Sequence, residues 1–384
     1  MNSTTRKAIG EALENLLARA QNGGPVLRLG LMALGSELGA AEVLQGGLMA
    51  QQATPGLRVV AIGPKVPGFE ALEWLETDNC EANVVAALEK ALAEGTVAGA
   101  VAMHFPFPIG VATIGRVVTP AKGRPMFIAS CTGATAASRG EALLRNAVYG
   151  TAVAKACGLV NPSVAFLNSE GAGPALRSLT RLQENGYAVN LGSSGRGDGG
   201  NLLRGNDLVT GAVDVLVCDT LTGNALMKIF ATFTTGGGYE SVGFGYGPSV
   251  GEGWGKVVSI VSRASGAPVV ANALALTAQA VQGNLPEALA TELHTARTAG
   301  LDTELEKLRP KEGPATKAVQ KPPVVPVDAE IAGVDVLDME AAAEALWAQG
   351  MYAETAMGCT GPVVRVPACA KASAEGVLRR AGFI

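Results

Sequence analysis

Aromatic residues make up only 4% of this 384-residue chain, charged residues 17%, and histidine occurs twice. With a net charge of −4 and no basic run interleaved with aromatics, the sequence lacks the electrostatic footprint of a nucleic-acid binder, and no such partner is expected. Six cysteines form no CxxC pair, and His104 and His294 cannot make a two-histidine ligand motif, so no structural metal is expected. The same unpatterned cysteines argue against a secreted disulfide scaffold and fit a reducing cytoplasm. The longest nearly charge-free stretch, Thr96 to Gly115, is broken by Pro106 and Pro108 and reads as a strand and a turn, so no membrane span is expected. The first twenty residues mix Glu and Arg with apolar residues at helical spacing, predicting an amphipathic helix in place of a secretion signal.

What the chain has is glycine, 50 residues of it, and small aliphatics, the composition of closely packed α/β layers. Short apolar runs alternate with helical patterns: VLRLGLMAL, LRVVAIG, VAGAVAMH, PMFIAS, SVAFLN, AVNLG, VDVLVCD and KVVSIVSR. That alternation predicts a parallel sheet covered by helices on both faces, with ligands at the carboxyl ends of the strands. Residues 1–305 form the expected body. A Pro-, Lys- and Glu-rich linker follows over 306–328, and a βαββα unit over 329–384.

Cys359 sits in Met357-Gly358-Cys359-Thr360-Gly361-Pro362, where flanking glycines leave room around a thiol. The segment suits an accessible nucleophile or a buried small hydrophobe about equally. Cys131, ending a strand in SCTGAT, is a second choice facing the cleft, whereas Cys218 inside VDVLVCD reads as core and Cys80, Cys157 and Cys369 carry no expected chemistry. Four places offer hydroxyls, amides and cations suited to an oxyanion such as inorganic phosphate. Near His104 a helix is expected from Pro108, with Thr113 beside its start and Arg116 two turns in. Ser130 and Thr132 stand at a strand-to-helix junction with Thr135 and Arg139. Asp219, Thr222 and Asn224 precede the helix that carries Lys228. Ser262, Arg263 and Ser265 make the fourth. The bland alternative for each is a capped helix, and for Arg263 a surface ion pair. His104 is either a base or structural; His294, in a polar helix, is expected in solvent. Gly236 to Gly238 and GFGYGPSVGEGWG fit no nucleotide-binding spacing, and a flexible lid or a subunit contact is expected there.

The stretch TGAVDVLVCDTLTGN, with NPSVAFLN and RGNDLVTG before it, resembles PlsX-type phosphate acyltransferases, although Thr220 and Leu221 depart from that family's Gly-Phe. VSRASGAPVVANALALTAQA is similar to the phosphate-side segment of phosphotransacetylases, in which Arg263 corresponds to the family arginine. The segments LGSE, HFPFPIGVATIGRVVTPAKG, RGNDL, LTGNALMK, TTGGGYE, GYGP and MGCTGP together resemble the α, PlsX-like subunits of component C of glycine, sarcosine or betaine reductase. The resemblance implies a PlsX/phosphotransacetylase-like, isopropylmalate dehydrogenase-like α/β fold of parallel-sheet layers with a small C-terminal α+β unit. It implies that Cys359 carries an acetyl thioester formed from a carboxymethyl group on a selenoprotein, and that acetyl passes to inorganic phosphate with no other cofactor. It further implies a hetero-oligomer with a thiolase-like β subunit. A long-chain acyltransferase of lipid synthesis and a non-catalytic scaffold for that partner remain the rival readings.

Overall fold

The computed structural model describes residues 26–197, 200–309, 319–334, 338–358 and 361–384. The expected N-terminal helix, residues 310–318 of the linker and Cys359 lie outside the described residues. The main sheet has twelve strands, β1 Leu27–Met32, β2 Leu57–Gly63, β3 Glu73–Glu76, β4 Gly99–Ala102, β5 Val111–Val118, β6 Pro125–Gly133, β7 Ser163–Leu167, β8 Asn190–Leu191, β9 Leu202–Leu203, β10 Val215–Val217, β11 Gly247–Gly251 and β12 Val258–Ile260. Their order is β3-β2-β1-β4-β12-β11-β5-β6-β10-β7-β8, with β9 paired to β7. All eight apolar runs read from the sequence become strands, because a strand buried on both faces has no polar alternation to show.

The sheet is not parallel throughout. One parallel block runs β3-β2-β1-β4-β12 and another β6-β10-β7-β8. Three antiparallel pairings, β12 with β11, β11 with β5 and β5 with β6, join the blocks, so the two run in opposite directions. Two sequence expectations fail at this joint. The helix expected from Pro108 is instead β5, whose β-branched residues are buried almost continuously, as a central strand requires and an amphipathic helix does not. The glycine run expected as a lid or subunit contact supplies β11, fully buried between β12 and β5. Gly247 has φ +83, and a Cβ there would stand 1.7 Å from the Ile114 carbonyl oxygen, so only glycine lets the two backbones meet.

Helices cover both faces, among them α1 Ala40–Ala53, α2 Glu81–Ala93, α3 Arg139–Ala156, α4 Ala172–Glu184, α5 Gly205–Thr210, α6 Thr220–Thr232, α7 Ala267–Gln282, α8 Leu285–Thr298 and α9 Leu301–Leu308. Helix α9 runs past the boundary expected at 305. Leu301 and Leu305 enter the core, while Glu304 binds Arg181 and Arg309 lies 3.3 Å from Glu141. The C-terminal unit has the order β13 Ala329–Ala332, α10 Met339–Trp347, β14 Glu354–Gly358, β15 Gly361–Val366, α11 Lys371–Arg380, and its three strands form a separate antiparallel sheet. Its own core gathers Ile331, Leu346, Val364, Val366 and Leu378.

Candidate active site

Strand ends from both blocks converge on one cavity of about 490 Å³. The chain leaves β4 at Ala102 and delivers Met103, His104 and Phe105; β6 ends in Cys131, Thr132 and Gly133; β12 ends at Ile260; and α6, following β10, presents Thr220, Leu221 and Asn224. The fourth wall belongs to the C-terminal unit, whose Met357, Gly358 and Pro362 face the same space, tied to the body by a backbone bridge from Met357 to Phe107. Strands β14 and β15 pair up to Gly358 opposite Gly361, the two residues that bracket positions 359 and 360 in the sequence.

The lining is mostly apolar, with the polar side chains of His104, Thr132, Thr220 and Asn224 inside it. Asn224 donates to the Cys131 carbonyl at 3.2 Å, and Thr132 shares a 2.9 Å hydrogen bond with the buried Thr113. His104 is half-buried, and burial lowers its pKa below the usual 6.5; the carboxylates of Glu81 and Glu330 oppose that shift, and the Arg263 cation adds to it. The imidazole is therefore neutral at pH 7, ready to take a proton. Gly223 lets α6 begin against β6, since a Cβ there would lie 1.9 Å from the Ser130 carbonyl oxygen.

The remaining expected residues divide. Arg263 stands half-exposed with its guanidinium 3.1 Å from Glu81, the ion pair that was its bland alternative, yet its field reaches His104. Ser262 flanks it and accepts from Lys228 Nζ at 2.7 Å. Ser265 is fully buried and donates to Glu240 at 2.6 Å, so it holds the loop and does not face a ligand. Asp219 and Thr222 close on one another as a helix cap, Asp219 accepting from the Thr222 amide and hydroxyl at 3.0 and 2.7 Å. Ser130 is fully buried, bonded to Thr220 at 2.8 Å and to Asn146 at 3.3 Å. Arg116 is a clear correction: on a strand in place of a helix, its guanidinium stacks over Phe127 and Phe244 at 5.3 and 4.8 Å, outside the cavity lining.

Cys131 touches the cavity, but its sulfur is buried, accepts from the Gly115 amide and donates to the Ile128 carbonyl. Burial pushes that thiol up to about 12, which removes it as a nucleophile. Burial raises Cys218 likewise, as its place in a strand run implied. His294 is exposed on α8, as expected. The sequence reading did not single out Glu81, which lies at the start of α2, or Glu240, whose only signal was its place in TTGGGYE. No described helix is long and apolar enough to cross a membrane.

Residues 27–365 match the family described as Fatty acid synthesis protein. The chain is 44% identical over 360 residues to the glycine/sarcosine/betaine reductase complex component C subunit alpha of Peptoclostridium acidaminophilum, covering 93% of each protein. It is 29% identical over 235 residues to the phosphate acyltransferase of Thermotoga petrophila, 53% of this chain and 67% of that protein. A branched-chain phosphotransacylase from Enterococcus faecalis V583 is similar over 67% of this chain and 100% of its own, at 16% identity and a TM-score of 0.46, a score too low to bear on the fold.

Proposed function

The chain belongs to the Fatty acid synthesis protein family, which its match over residues 27–365 establishes, and from that membership we propose that it is an acyltransferase that passes a short acyl group from a thioester on Cys359 to inorganic phosphate. The observation that carries this reading is the shared cavity. Gly358, the residue before Cys359, lines the same space as His104, Thr132 and Asn224.

The step needs few parts. Arg263 and Ser262 bind the phosphate, Arg263 exchanging part of its pairing with Glu81 for the ligand. Neutral His104 takes the proton of hydrogen phosphate as its oxygen attacks the acyl carbon. Asn224 and Thr132 donate to the carbonyl oxygen as it gains charge. The carbon–sulfur bond then breaks, and the leaving thiolate receives the proton from His104. Acyl phosphate and free thiol result, with atoms and charge conserved. The apolar wall of Met103, Phe105, Phe107 and Ile260 holds the acyl chain away from water.

As the resemblance to the reductase component implies, the upstream donor is a selenoprotein carrying a carboxymethyl group, whose selenium and a thiol supply the two electrons that turn that group into acetyl, and a thiolase-like subunit completes a cytoplasmic hetero-oligomer. Acetyl phosphate in the presence of arsenate is the direct assay, since acetyl arsenate hydrolyses at once. Wild-type protein is expected to consume acetyl phosphate and to gain one acetyl on Cys359 by mass spectrometry. Cys359→Ala is expected to lose both; an acetyl still attached in that variant defeats the assignment. The family relatives named phosphate acyltransferase favour a second reading, a longer acyl donor, which activity with long-chain but not acetyl thioesters would establish.

A further inference from the structure

The TTGGGYE and GYGP segments have no part in the step above, yet they build a charged cluster behind the Ser262 loop. Glu240 is fully buried, and its carboxylate accepts from Ser265 at 2.6 Å, Tyr246 at 3.0 Å and Lys228 at 2.6 Å. Its backbone also clamps the loop, the amide donating to the Ala264 carbonyl and the carbonyl accepting from the Gly266 amide. Lys228 lies one helical turn beyond Asn224 on α6, on the same face. Its side chain is 45% exposed, and two of its three N–H donors go to Glu240 and Ser262. The third has no partner among the described residues. Ser262 Oγ accepts from both Lys228 Nζ and the Ala264 amide, at 2.7 and 3.1 Å. With both lone pairs taken, its hydroxyl proton has no acceptor among the described residues. Two donors, one of them cationic, thus stand side by side without an acceptor.

We propose that Lys228 and Ser262 form a coupled anion-binding pair that grips the phosphate, and that Glu240 is the positioning residue that sets both. This deepens the phosphate-acceptor reading and rests on it. A phosphate oxygen takes the free Lys228 N–H and another takes the Ser262 proton. Glu240 keeps the ammonium from collapsing onto the anion and fixes Ser265, whose hydroxyl in turn holds the Ser262 amide at 3.1 Å.

The test is calorimetric titration of the full chain with inorganic phosphate, alongside arsenate-dependent turnover and a melting temperature for each variant. Lys228→Met is expected to weaken phosphate binding about tenfold to hundredfold, the loss of one charge-assisted hydrogen bond, while Lys228→Arg recovers part of it. Glu240→Gln, offering one carbonyl to three donors, is expected to raise the phosphate KM about tenfold with kcat at saturating phosphate within about threefold. Unchanged phosphate affinity in a folded Lys228→Met protein overturns the proposal while leaving acyl transfer to phosphate intact. Phosphate binding that depends on Lys228 in a wild type without turnover supports the pair and sinks the acyltransferase reading. A wild type that binds no phosphate at millimolar concentration overturns both.

Discussion

Burial lowers the His104 pKa because its imidazolium would lose water, and the negative charge of Glu81 offsets that loss only in part. The folded-state pKa therefore lies below the unfolded value of 6.5. As pH falls through 6.5 the unfolded chain takes up a proton first, so stability contributed by neutral His104 is present above 6.5 and declines below it. Transfer to phosphate is expected to hold level from pH 7 to 8 and to fall on acidification below 6.5. In His104→Gln that acid limb disappears along with on the order of a hundredfold in kcat, both read from a pH–rate profile. The Cys131 thiol, in the lining of the same cavity, shifts in the opposite sense. Cys131, at about 12, stays protonated throughout. Cys131→Ala is expected to leave Cys359 acetylation untouched and to cost on the order of 1 kcal/mol in urea unfolding.

Among the elements, α9 is held by charge as much as by its two buried leucines. Glu304 is 7% exposed, and the Arg181 guanidinium, with help from Lys307 and Ser178, holds its carboxyl down at about 2. A depressed carboxylate stabilises above the unfolded value of 4.5, and that contribution is lost as pH falls from 4.5 toward 2. Because Arg181 is 43% exposed, solvent screening trims the pair's worth, so Glu304→Gln is expected to lose about 1 to 2 kcal/mol at pH 7 and nothing near pH 2. Elements also show what the sequence discloses and what it hides. Strands such as β1 and β10 were legible because burial on both faces leaves a plain apolar run. β5 was hidden by Pro108 and Gly110, which resemble a helix start, and by Thr113 and Arg116, whose spacing of three suits a helix. β11 was hidden because a strand chosen for lack of side chains has almost no pattern to read. At the site, His104 and Thr132 were legible as polar residues at strand ends, and Asn224 as an amide in the polar run after β10, which the structure makes the first turn and a half of α6 in place of a stretch preceding it. The Glu240 cluster was not, since its carboxylate meets Lys228 and Ser265 only once α6 and the loop after β12 are in place.

At the scale of the molecule, the core of the C-terminal unit is separate from the clusters that pack the large sheet. A chain ending at Arg309 is expected to keep the thermal transition of the body, within a few degrees, and to lose all acetyl transfer; a body that fails to fold would show the two cores to be interdependent. The bare backbone contact between Gly247 and Ile114 has a mechanical side. A seam with no side chain between its rails has little play, so the halves it joins resist swinging apart to admit a bulky donor. Admission then falls to the appendage at the cavity mouth, whose amides should exchange with deuterium well before those of the seam.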